Sequence, residues 1–179
     1  CSANSRLLVE RSVQNEFVER LSTIAKDTQP GHPLNPESKM GAIVNEEQTK
    51  RIVSYIEKGK QNADLIIGGE QIKVDGKGCY VQPTIFNNVN ANDVIAKEEI
   101  FGPVLSVIPF DTEEEALSIA NESEYGLAAS VWTDDLSRAL RVSDHLHAGT
   151  VSVNTVDALN TVTPFGGVKQ SGYGKDLSL

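Results

Sequence analysis

Apolar residues recur along the chain alternately at strand spacing and at helix spacing, with turn-forming residues between the segments. The expected strands cover residues 6–10, 65–67, 80–86, 104–110, 127–133 and 150–154. The expected helices begin after Ser12, after Asn45, after Thr112 and near Leu136, and apolar residues recur every three or four positions in them. The pattern therefore predicts alternating strands and helices over the whole chain.

For the first and last helices, the pattern also predicts which face is buried. Ser12 is the expected N-cap of the first helix. The apolar residues Val13, Phe17, Leu21 and Ile24 recur at helical spacing in that helix, and Leu136, Ala139, Leu140 and Ser143 mark the inner face of the last one. Each set follows the helical repeat, so each should pack against a sheet.

The order of the elements predicts the fold class. Strand, helix, strand, helix and strand follow one another in the second half, which favours right-handed crossovers and parallel strands. We expect an α/β fold, a single three-layer domain with a mostly parallel sheet, over residues 1–179. Residues 161–175 are rich in Gly, Ser and Thr and too long for a simple connector, so a functional loop is expected there.

Charge and cysteine content exclude some classes of function. The chain has 179 residues, with 25 acidic against 16 basic side chains and a net charge of −9. Such a chain lacks the basic field that nucleic acids and anionic membranes require, and no apolar run approaches the roughly 20 residues that span a bilayer. Two cysteines fit a reducing compartment. We expect a cytoplasmic protein with no nucleic-acid or membrane partner.

The residues around the cysteines and histidines indicate what chemistry they can perform. Cys1 is followed by small polar residues, which favours an accessible, reactive thiol, whereas Cys79 at a predicted strand start is expected to be inert. His145 and His147 are two positions apart and would not face each other on a helix. We therefore expect no metal site. Because the chain opens on Cys1, without Met, and reaches the apolar run Leu7-Leu8-Val9 within a few residues, we expect it to be a piece of a longer protein.

Residues 97–104 combine two carboxylates, an aromatic ring and Gly-Pro immediately before a predicted strand. On pattern alone, Glu98 and Glu99 are best interpreted as a solvated helix end. The alternative is that a carboxylate and the ring of Phe101 contact a ligand. The chain has no dinucleotide fingerprint, because the Gly-x-Gly at 172–174 lacks the third glycine and the following helix.

Five segments carry a more specific signal than any of these features alone. They are CSANSRLLV at 1–9, KEEIFGPV at 97–104, N-x4-GL at 121–127, AGTVSVN at 148–154 and PFGGVKQSG at 164–172. In this order they resemble the catalytic domain of the NAD(P)-dependent aldehyde dehydrogenases over the whole chain. The sequences of residues 29–34 and 135–139 are most similar to those of the γ-glutamyl-γ-aminobutyraldehyde dehydrogenases of putrescine breakdown.

The resemblance implies a catalytic-domain fold of the aldehyde dehydrogenase type and a role for each matching residue. Cys1 corresponds to the nucleophile, which forms a thiohemiacetal with the aldehyde and, after hydride transfer to NAD or NADP, a thioester that water hydrolyses. Glu99 corresponds to the carboxylate that holds the ribose hydroxyls on the nicotinamide side, and Phe101 to the ring packed beside them. Gln48 and Arg51 correspond to further cofactor contacts.

The resemblance also assigns roles in the second half of the chain. Asp157, Leu159 and Phe165 correspond to the walls of the aldehyde tunnel, and Asn154 to an asparagine that fixes a loop beneath the active site. Asp176 stands where many relatives have Glu. The shorter carboxylate puts a proton-relay role at this position in doubt.

Several parts of the family's machinery lie outside the segments that match. The cofactor-binding domain, the general-base glutamate and the oxyanion asparagine precede the nucleophile, and an oligomerisation strand follows the matched region. The resemblance thus implies that residues 1–179 are a catalytic domain that is inactive alone. Its implied partners are the N-terminal cofactor domain of the same protein, a small-molecule aldehyde and further copies in a homo-oligomer.

Two other classes of function compete with this interpretation. Cys1 could be the N-terminal nucleophile of an amidohydrolase, with its own α-amine as base, although that chemistry usually sits on stacked antiparallel sheets. The chain could instead be a non-catalytic α/β binding module in which Cys1 is incidental. The alternation of strands and helices and the five ordered segments favour the dehydrogenase over both.

Overall fold

The computed structural model describes residues 2–156, 158 and 160–177, and the chain forms two compact units. The first unit is Ser5–Phe110, and the second comprises residues 2–4 and the described residues from Asp111 onward. The assignment of residues 1–179 to one catalytic domain stays a prediction. None of the helices in the described residues is both long and apolar enough to cross a bilayer.

The first unit is built on a four-stranded mixed sheet. Its elements are β1 Arg6–Glu10, α1 Gln14–Lys26, α2 Glu46–Asn62, β2 Asp64–Ile67, β3 Gln71–Val74, β4 Lys77–Val81, β5 Thr84–Asn87, α3 Val94–Lys97 and β6 Val104–Phe110. The strand order is β1-β6-β5-β2, in which β6 pairs parallel with β1 and β5, and β2 pairs antiparallel with β5. The predicted α/β class with mostly parallel pairing is confirmed for this sheet.

Apolar side chains cover both faces of this sheet. Ile85 belongs to a buried cluster with Val18 of α1 and Val107 of β6. The next residue, Phe86, points to the opposite face, because successive strand residues alternate, and its ring lies against Gly59 of α2. Helices α1 and α2 therefore lie on opposite faces, which gives this unit the expected three layers.

The face of α1 that packs on the sheet matches the predicted stripe only at Leu21, which packs against the buried cluster of Val18 and Ile85. Val13, Phe17 and Ile24 are exposed, whereas the buried residues of α1 are Gln14, Val18 and Ala25. Gln14 is buried because its amide donates to the side-chain oxygens of Asn87 at 2.7 Å and Asn88 at 2.8 Å.

The predicted N-cap of α1 is also wrong. The Ser12 hydroxyl donates to the Glu10 carboxylate at 2.8 Å, and Val13 occupies the cap position without a capping side chain. In α2 the prediction is confirmed, because the Asn45 side chain accepts a hydrogen bond from the Gln48 amide at 2.8 Å.

Residues 71–81 form a hairpin that the apolar pattern did not predict. Strands β3 and β4 pair antiparallel through the two-residue turn Asp75-Gly76, and both turn residues have positive φ, 52° and 75°. Such a turn suits Asp-Gly. The single extended stretch expected at 80–86 is therefore the end of β4 and the start of β5. In β2, which matches the strand expected at 65–67, Leu65 and Ile66 are exposed and Ile67 packs against the core cluster.

The second unit contains two short sheets and two helices. Its elements are α4 Glu113–Asn121, β7 Tyr125–Gly126, β8 Ala128–Val131, α5 Leu136–His145, β9 Thr150–Val153 and β10 Val168–Lys169. Strands β8 and β9 pair parallel, and β7 and β10 pair antiparallel. Glu113 of α4 accepts hydrogen bonds from Arg141 and Arg138 of α5, which hold the pKa of Glu113 below its ordinary value.

The inner face predicted for α5 is only partly confirmed. Ala139 is buried, but Leu136 and Leu140 are exposed within this unit. The alternation of elements in the second half also does not lead to one continuous sheet, because β6 pairs within the first unit and β8 pairs with β9. The predicted start of α4 after Thr112 is confirmed, since the Thr112 hydroxyl accepts from the Glu115 amide at 3.2 Å, while the Glu115 carboxylate accepts from the Asp111 amide at 2.8 Å.

Candidate functional site

The candidate site in the first unit is the stretch between α3 and β6, which we call the 98–101 segment (Glu98, Glu99, Ile100 and Phe101). At its start, the Glu98 amide closes α3 by donating to the Val94 carbonyl at 2.9 Å. After its end, the Pro103 carbonyl accepts from the Thr84 amide at 2.8 Å, which joins the chain to β5. The segment is therefore fixed at both ends by regular structure.

Three side chains of α2 hold the segment between these ends. The Gln48 amide donates to the carbonyls of Ile100 at 3.0 Å and Phe101 at 3.1 Å. The guanidinium of Arg51 donates to the Glu99 carbonyl at 3.1 Å, and the Tyr55 hydroxyl donates to the Glu98 carboxylate. Because positions 48, 51 and 55 are three and four residues apart, they lie on one face of the helix. One helix face thus contacts all four residues of the segment.

Close packing brings the backbone after the segment onto the same helix. A Cβ on Gly102 would lie 2.6 Å from side-chain atoms of Ile52, which is completely buried. Only glycine permits this approach without displacing Ile52. Ile100 is 4% exposed and adds an apolar anchor inside the segment.

The other two side chains of the segment are left free to meet a ligand. Phe101 is 64% exposed and has a φ of 58°, a left-handed conformation that costs a bulky residue about 1–3 kcal/mol. The bond from Gln48 to its carbonyl helps to hold that conformation. Glu99 is exposed, and its carboxylate has no hydrogen bond or ion pair among the described residues.

Tyr55 is the most buried polar group of this arrangement. It is 6% exposed, and its ring lies 5.7 Å from the Arg51 guanidinium carbon and 5.0 Å from the Lys58 amine nitrogen. The hydrogen bond to Glu98 raises the pKa of Tyr55, because losing the phenolic proton would place two negative charges side by side. Burial raises this pKa further.

The structure brings the four predicted cofactor-contact residues of the first unit together. Gln48 and Arg51 lie on α2, and Glu99 and Phe101 on the segment that they hold. Gln48 and Arg51 bond the backbone of the segment, so part of their hydrogen-bonding capacity shapes the site itself. The roles of all four toward a cofactor stay predictions. Sequence reasoning missed Tyr55, although its spacing from Gln48 and Arg51 was a usable signal.

In the second unit, Phe165 is half-buried and fixed through its backbone. Its amide and carbonyl both pair with Asp176 at 2.8 Å, and the amine of Lys175 donates to the Gly166 carbonyl at 2.8 Å. Asn154 has a φ of 54°, and its side-chain amide bonds the amide and carbonyl of Thr133, each at 2.9 Å. These two bonds fix the backbone at Thr133 and are consistent with the loop-fixing role predicted for Asn154.

Three predicted site residues, Cys1, Asp157 and Leu159, lie outside the described residues. Within the part of the chain that the structure describes, no group of three or more His, Cys, Asp or Glu side chains is arranged to hold a metal ion. His145 and His147 are joined through Asn121, whose amide donates to the His145 carbonyl and accepts from the His147 amide, each at 2.8 Å.

Comparison with known families gives a match over almost the whole chain. The model of the aldehyde dehydrogenase family matches residues 1–178. The chain belongs to the aldehyde dehydrogenase family. The family resemblance carried by the five sequence segments is therefore confirmed.

Several aldehyde dehydrogenases are similar to this chain over its full length. Betaine aldehyde dehydrogenase of Rhizobium etli is 45% identical, and the match covers 100% of this chain and 37% of the relative. The NADP/NAD-dependent aldehyde dehydrogenase PuuC of Escherichia coli is 45% identical and is covered over 36% of its length.

A solved structure confirms the fold. The γ-glutamyl-γ-aminobutyraldehyde dehydrogenase of Burkholderia cenocepacia superposes with a TM-score of 0.95 at 50% identity, covering 98% of this chain and 36% of that one. This chain thus spans little more than a third of the length of the aldehyde dehydrogenases that it matches.

Proposed function

We propose that this chain is the nucleophile-bearing part of an NAD(P)-dependent aldehyde dehydrogenase that oxidises an aldehyde to a carboxylic acid. The observation that carries the proposal is the free Glu99 carboxylate beside the exposed Phe101 ring, on a segment held by α2 in a chain of this family. A solvated helix end would not require three side chains of another helix to hold it.

The residues present fit a dinucleotide cofactor. Glu99 would accept hydrogen bonds from two ribose hydroxyls, and Phe101 would pack against the same end of the molecule. Gln48 and Arg51 would hold both residues in place and contact the cofactor with their remaining donors. The bound cofactor would supply the hydride acceptor. The name of the E. coli relative, which is NADP/NAD-dependent, supports NAD with NADP as an alternative.

The chemical steps at the chain's own residues involve Cys1. Its thiolate adds to the aldehyde carbon to form a thiohemiacetal, and loss of a hydride from that carbon leaves a thioester. Water then cleaves the thioester, which releases the acid and returns the thiol. Phe165, with Asp157 and Leu159, would line an apolar tunnel that orients the aldehyde and excludes bulk water.

The remaining parts of the enzyme would come from the rest of the protein. The similar dehydrogenases are nearly three times as long as this chain, which supports an N-terminal cofactor domain beyond it. In this proposal the general base and an oxyanion donor lie there, and the whole protein is a cytoplasmic homo-oligomer.

We propose γ-glutamyl-γ-aminobutyraldehyde, an intermediate of putrescine breakdown, as the substrate. The Burkholderia structure, which is named for this activity, supports the choice at 50% identity. Betaine aldehyde is the second candidate, because the Rhizobium relative is 45% identical. Comparing kcat/KM of the full-length enzyme for the two aldehydes tests this assignment, and a preference for betaine aldehyde would overturn it.

The 179-residue chain alone is expected not to oxidise aldehydes. Losing one oxyanion donor costs about 100- to 1,000-fold in rate, and the proposal places both this donor and the general base elsewhere. NADH formation by the purified chain, measured at saturating aldehyde against the full-length enzyme, checks the expectation. Turnover by a preparation shown to contain no full-length enzyme would contradict it.

Replacing Glu99 with glutamine in the full-length enzyme is expected to weaken use of the cofactor. The amide presents one acceptor oxygen in place of a charged carboxylate, so a loss of about 1–3 kcal/mol in kcat/KM for NAD(P) is expected. Steady-state and single-turnover NADH formation would measure it. Glu57→Gln is the matched control, because Glu57 is an exposed carboxylate of α2 that pairs with Lys60 on the same helix. If Glu99→Gln and Glu57→Gln have the same kcat/KM for NAD(P), the proposed role of Glu99 in cofactor binding is wrong.

A further inference from the structure

The geometry points to a positioning role for Tyr55 and Glu98. We propose that the hydrogen bond from the Tyr55 hydroxyl to the Glu98 carboxylate decides which of two adjacent glutamates faces the cofactor. By holding Glu98 against α2, Tyr55 leaves Glu99 directed outward to accept the ribose hydroxyls. This inference rests on the proposed function of Glu99 and Phe101.

The backbone conformation explains why holding one glutamate orients the other. Glu98 is extended, with φ −97° and ψ 146°, and successive side chains of extended backbone point to opposite sides. The segment follows this alternation. Glu98 contacts Tyr55, Glu99 is free, Ile100 is buried and Phe101 is exposed. A slip of one residue would bring Glu99 to Tyr55 and turn Glu98 outward.

The carbonyl contacts alone do not distinguish the two glutamates. Gln48 and Arg51 bond backbone oxygens, which every residue of the segment possesses. Of these hydrogen bonds from α2, the one from Tyr55 ends on a carboxylate side chain, that of Glu98. This bond therefore depends on which residue of the segment lies opposite Tyr55, whereas the bonds to backbone carbonyls do not.

The surroundings of Tyr55 hold its ring in place. The Arg51 guanidinium carbon and the Lys58 amine nitrogen lie 5.7 Å and 5.0 Å from the ring centre, within the range of cation–π attraction. Tyr55 is also almost fully buried, which fixes the direction in which its hydroxyl points.

The first test compares Tyr55→Phe, Glu98→Gln and Glu99→Gln in the full-length enzyme, with Glu57→Gln as the control. Tyr55→Phe keeps the ring and removes the donor, so we expect KM for NAD to rise about three- to tenfold while KM for the aldehyde stays unchanged. Glu98→Gln keeps an acceptor oxygen and should show a smaller rise. Because both changes act on the same bond, and Tyr55→Phe already removes it, the double variant should be no worse than Tyr55→Phe.

The second test needs no turnover. Amide hydrogen exchange of the cofactor-free full-length enzyme should be faster across residues 98–102 in Tyr55→Phe than in Glu57→Gln, while exchange within β6 stays the same. Added NAD should slow exchange in these amides less in Tyr55→Phe than in the unaltered enzyme.

The outcomes separate the two proposals. If Glu99→Gln impairs use of NAD but Tyr55→Phe behaves as the control does, the positioning role is overturned and the function of Glu99 stands. Faster exchange in Tyr55→Phe with an unchanged KM for NAD would show a merely structural bond and would also overturn it. If Glu99→Gln itself has no effect, the proposed role of Glu99 fails, and the positioning role of Tyr55 fails with it.

Discussion

Serine in place of Cys1 in the full-length enzyme is expected to abolish aldehyde oxidation. The proposed chemistry needs a thiolate that adds to the aldehyde and later leaves from a thioester. A serine hydroxyl is far less acidic and would form an ester, which is less reactive toward water. Removing the nucleophile of an enzyme that works through a covalent intermediate costs on the order of 10⁴-fold or more in kcat. This is the largest loss of activity that the proposal predicts.

Steady-state NADH formation by purified Cys1→Ser measures this loss, and Cys79→Ser is its control. Cys79 is a half-buried residue of β4, and its carbonyl accepts a hydrogen bond from the Ile43 amide at 2.7 Å, a contact that the side-chain change leaves in place. We expect Cys79→Ser to retain activity. An active Cys1→Ser enzyme would end the proposed mechanism.

Alkylation gives a second view of the same two thiols. With limiting iodoacetamide near neutral pH, Cys1 of the full-length enzyme should be labelled well before Cys79, because an activated thiolate reacts faster than a half-buried thiol. Peptide mapping by mass spectrometry measures the ratio. Equal labelling of both residues would argue against activation of Cys1.

Elements with a strong local signal were predicted well from the sequence. Asn45 and Thr112 cap α2 and α4 as expected, because a capping hydrogen bond closes within three residues and depends on no distant partner. The hairpin at Asp75-Gly76 carried an equally local signal. It was missed although β3 alternates polar and apolar residues, Gln-Ile-Lys-Val, and the turn residues Asp-Gly favour a two-residue hairpin turn.

Buried faces were harder to predict because they depend on distant residues. In α1 an apolar stripe was available, yet the helix buries Gln14, whose amide finds Asn87 and Asn88 more than 70 residues away. Hydrophobic spacing alone cannot foresee that two asparagines will satisfy a buried glutamine.

The same limit applies to the candidate site. Glu99, Phe101, Gln48 and Arg51 were assigned from the family resemblance, while the pattern alone favoured a solvated helix end. Tyr55 was not predicted, because its partner Glu98 is 43 residues away and the bond exists only once α2 lies beside the segment. The helical spacing of Gln48, Arg51 and Tyr55 places the three side chains on one face of α2. The structure shows that this face holds the 98–101 segment by hydrogen bonds.

Replacing Gly149 with alanine is expected to lower the free energy of unfolding of the second unit strongly. Among the described glycines whose φ is not positive, we expect the largest loss at this position. A Cβ at this position would lie 1.6 Å from the carbonyl oxygen of Gly166 and 2.7 Å from its carbonyl carbon. Both are backbone atoms, so no side-chain rotation can relieve the overlap. Overpacking of this kind costs typically 1–3 kcal/mol and occasionally more, and we expect about 3 kcal/mol here.

The neighbouring contacts explain why the backbone cannot shift freely. The Gly149 amide donates to the Gly126 carbonyl at 3.0 Å, and the Gly166 carbonyl accepts from the Lys175 amine at 2.8 Å. Moving either backbone segment of this contact would break one of these bonds. Gly149 and Gly166 belong to two of the five family segments, AGTVSVN and PFGGVKQSG. The close approach gives a physical reason for glycine at 149, whereas a Cβ on Gly166 would lie 2.3 Å from the Gly174 carbonyl oxygen.

Urea unfolding monitored by Trp132 measures the effect, because this single tryptophan lies in the second unit, as Gly149 does. Gly149→Ala should lower the midpoint strongly, whereas Gly41→Ala, where an added Cβ would meet no atom within 4 Å, should leave it nearly unchanged. Since Phe165 adjoins Gly166, the variant of the full-length enzyme should also raise KM for the aldehyde more than KM for NAD. Equal unfolding midpoints for the two alanine variants would mean that the backbone contact between Gly149 and Gly166 is not needed for the second unit to fold.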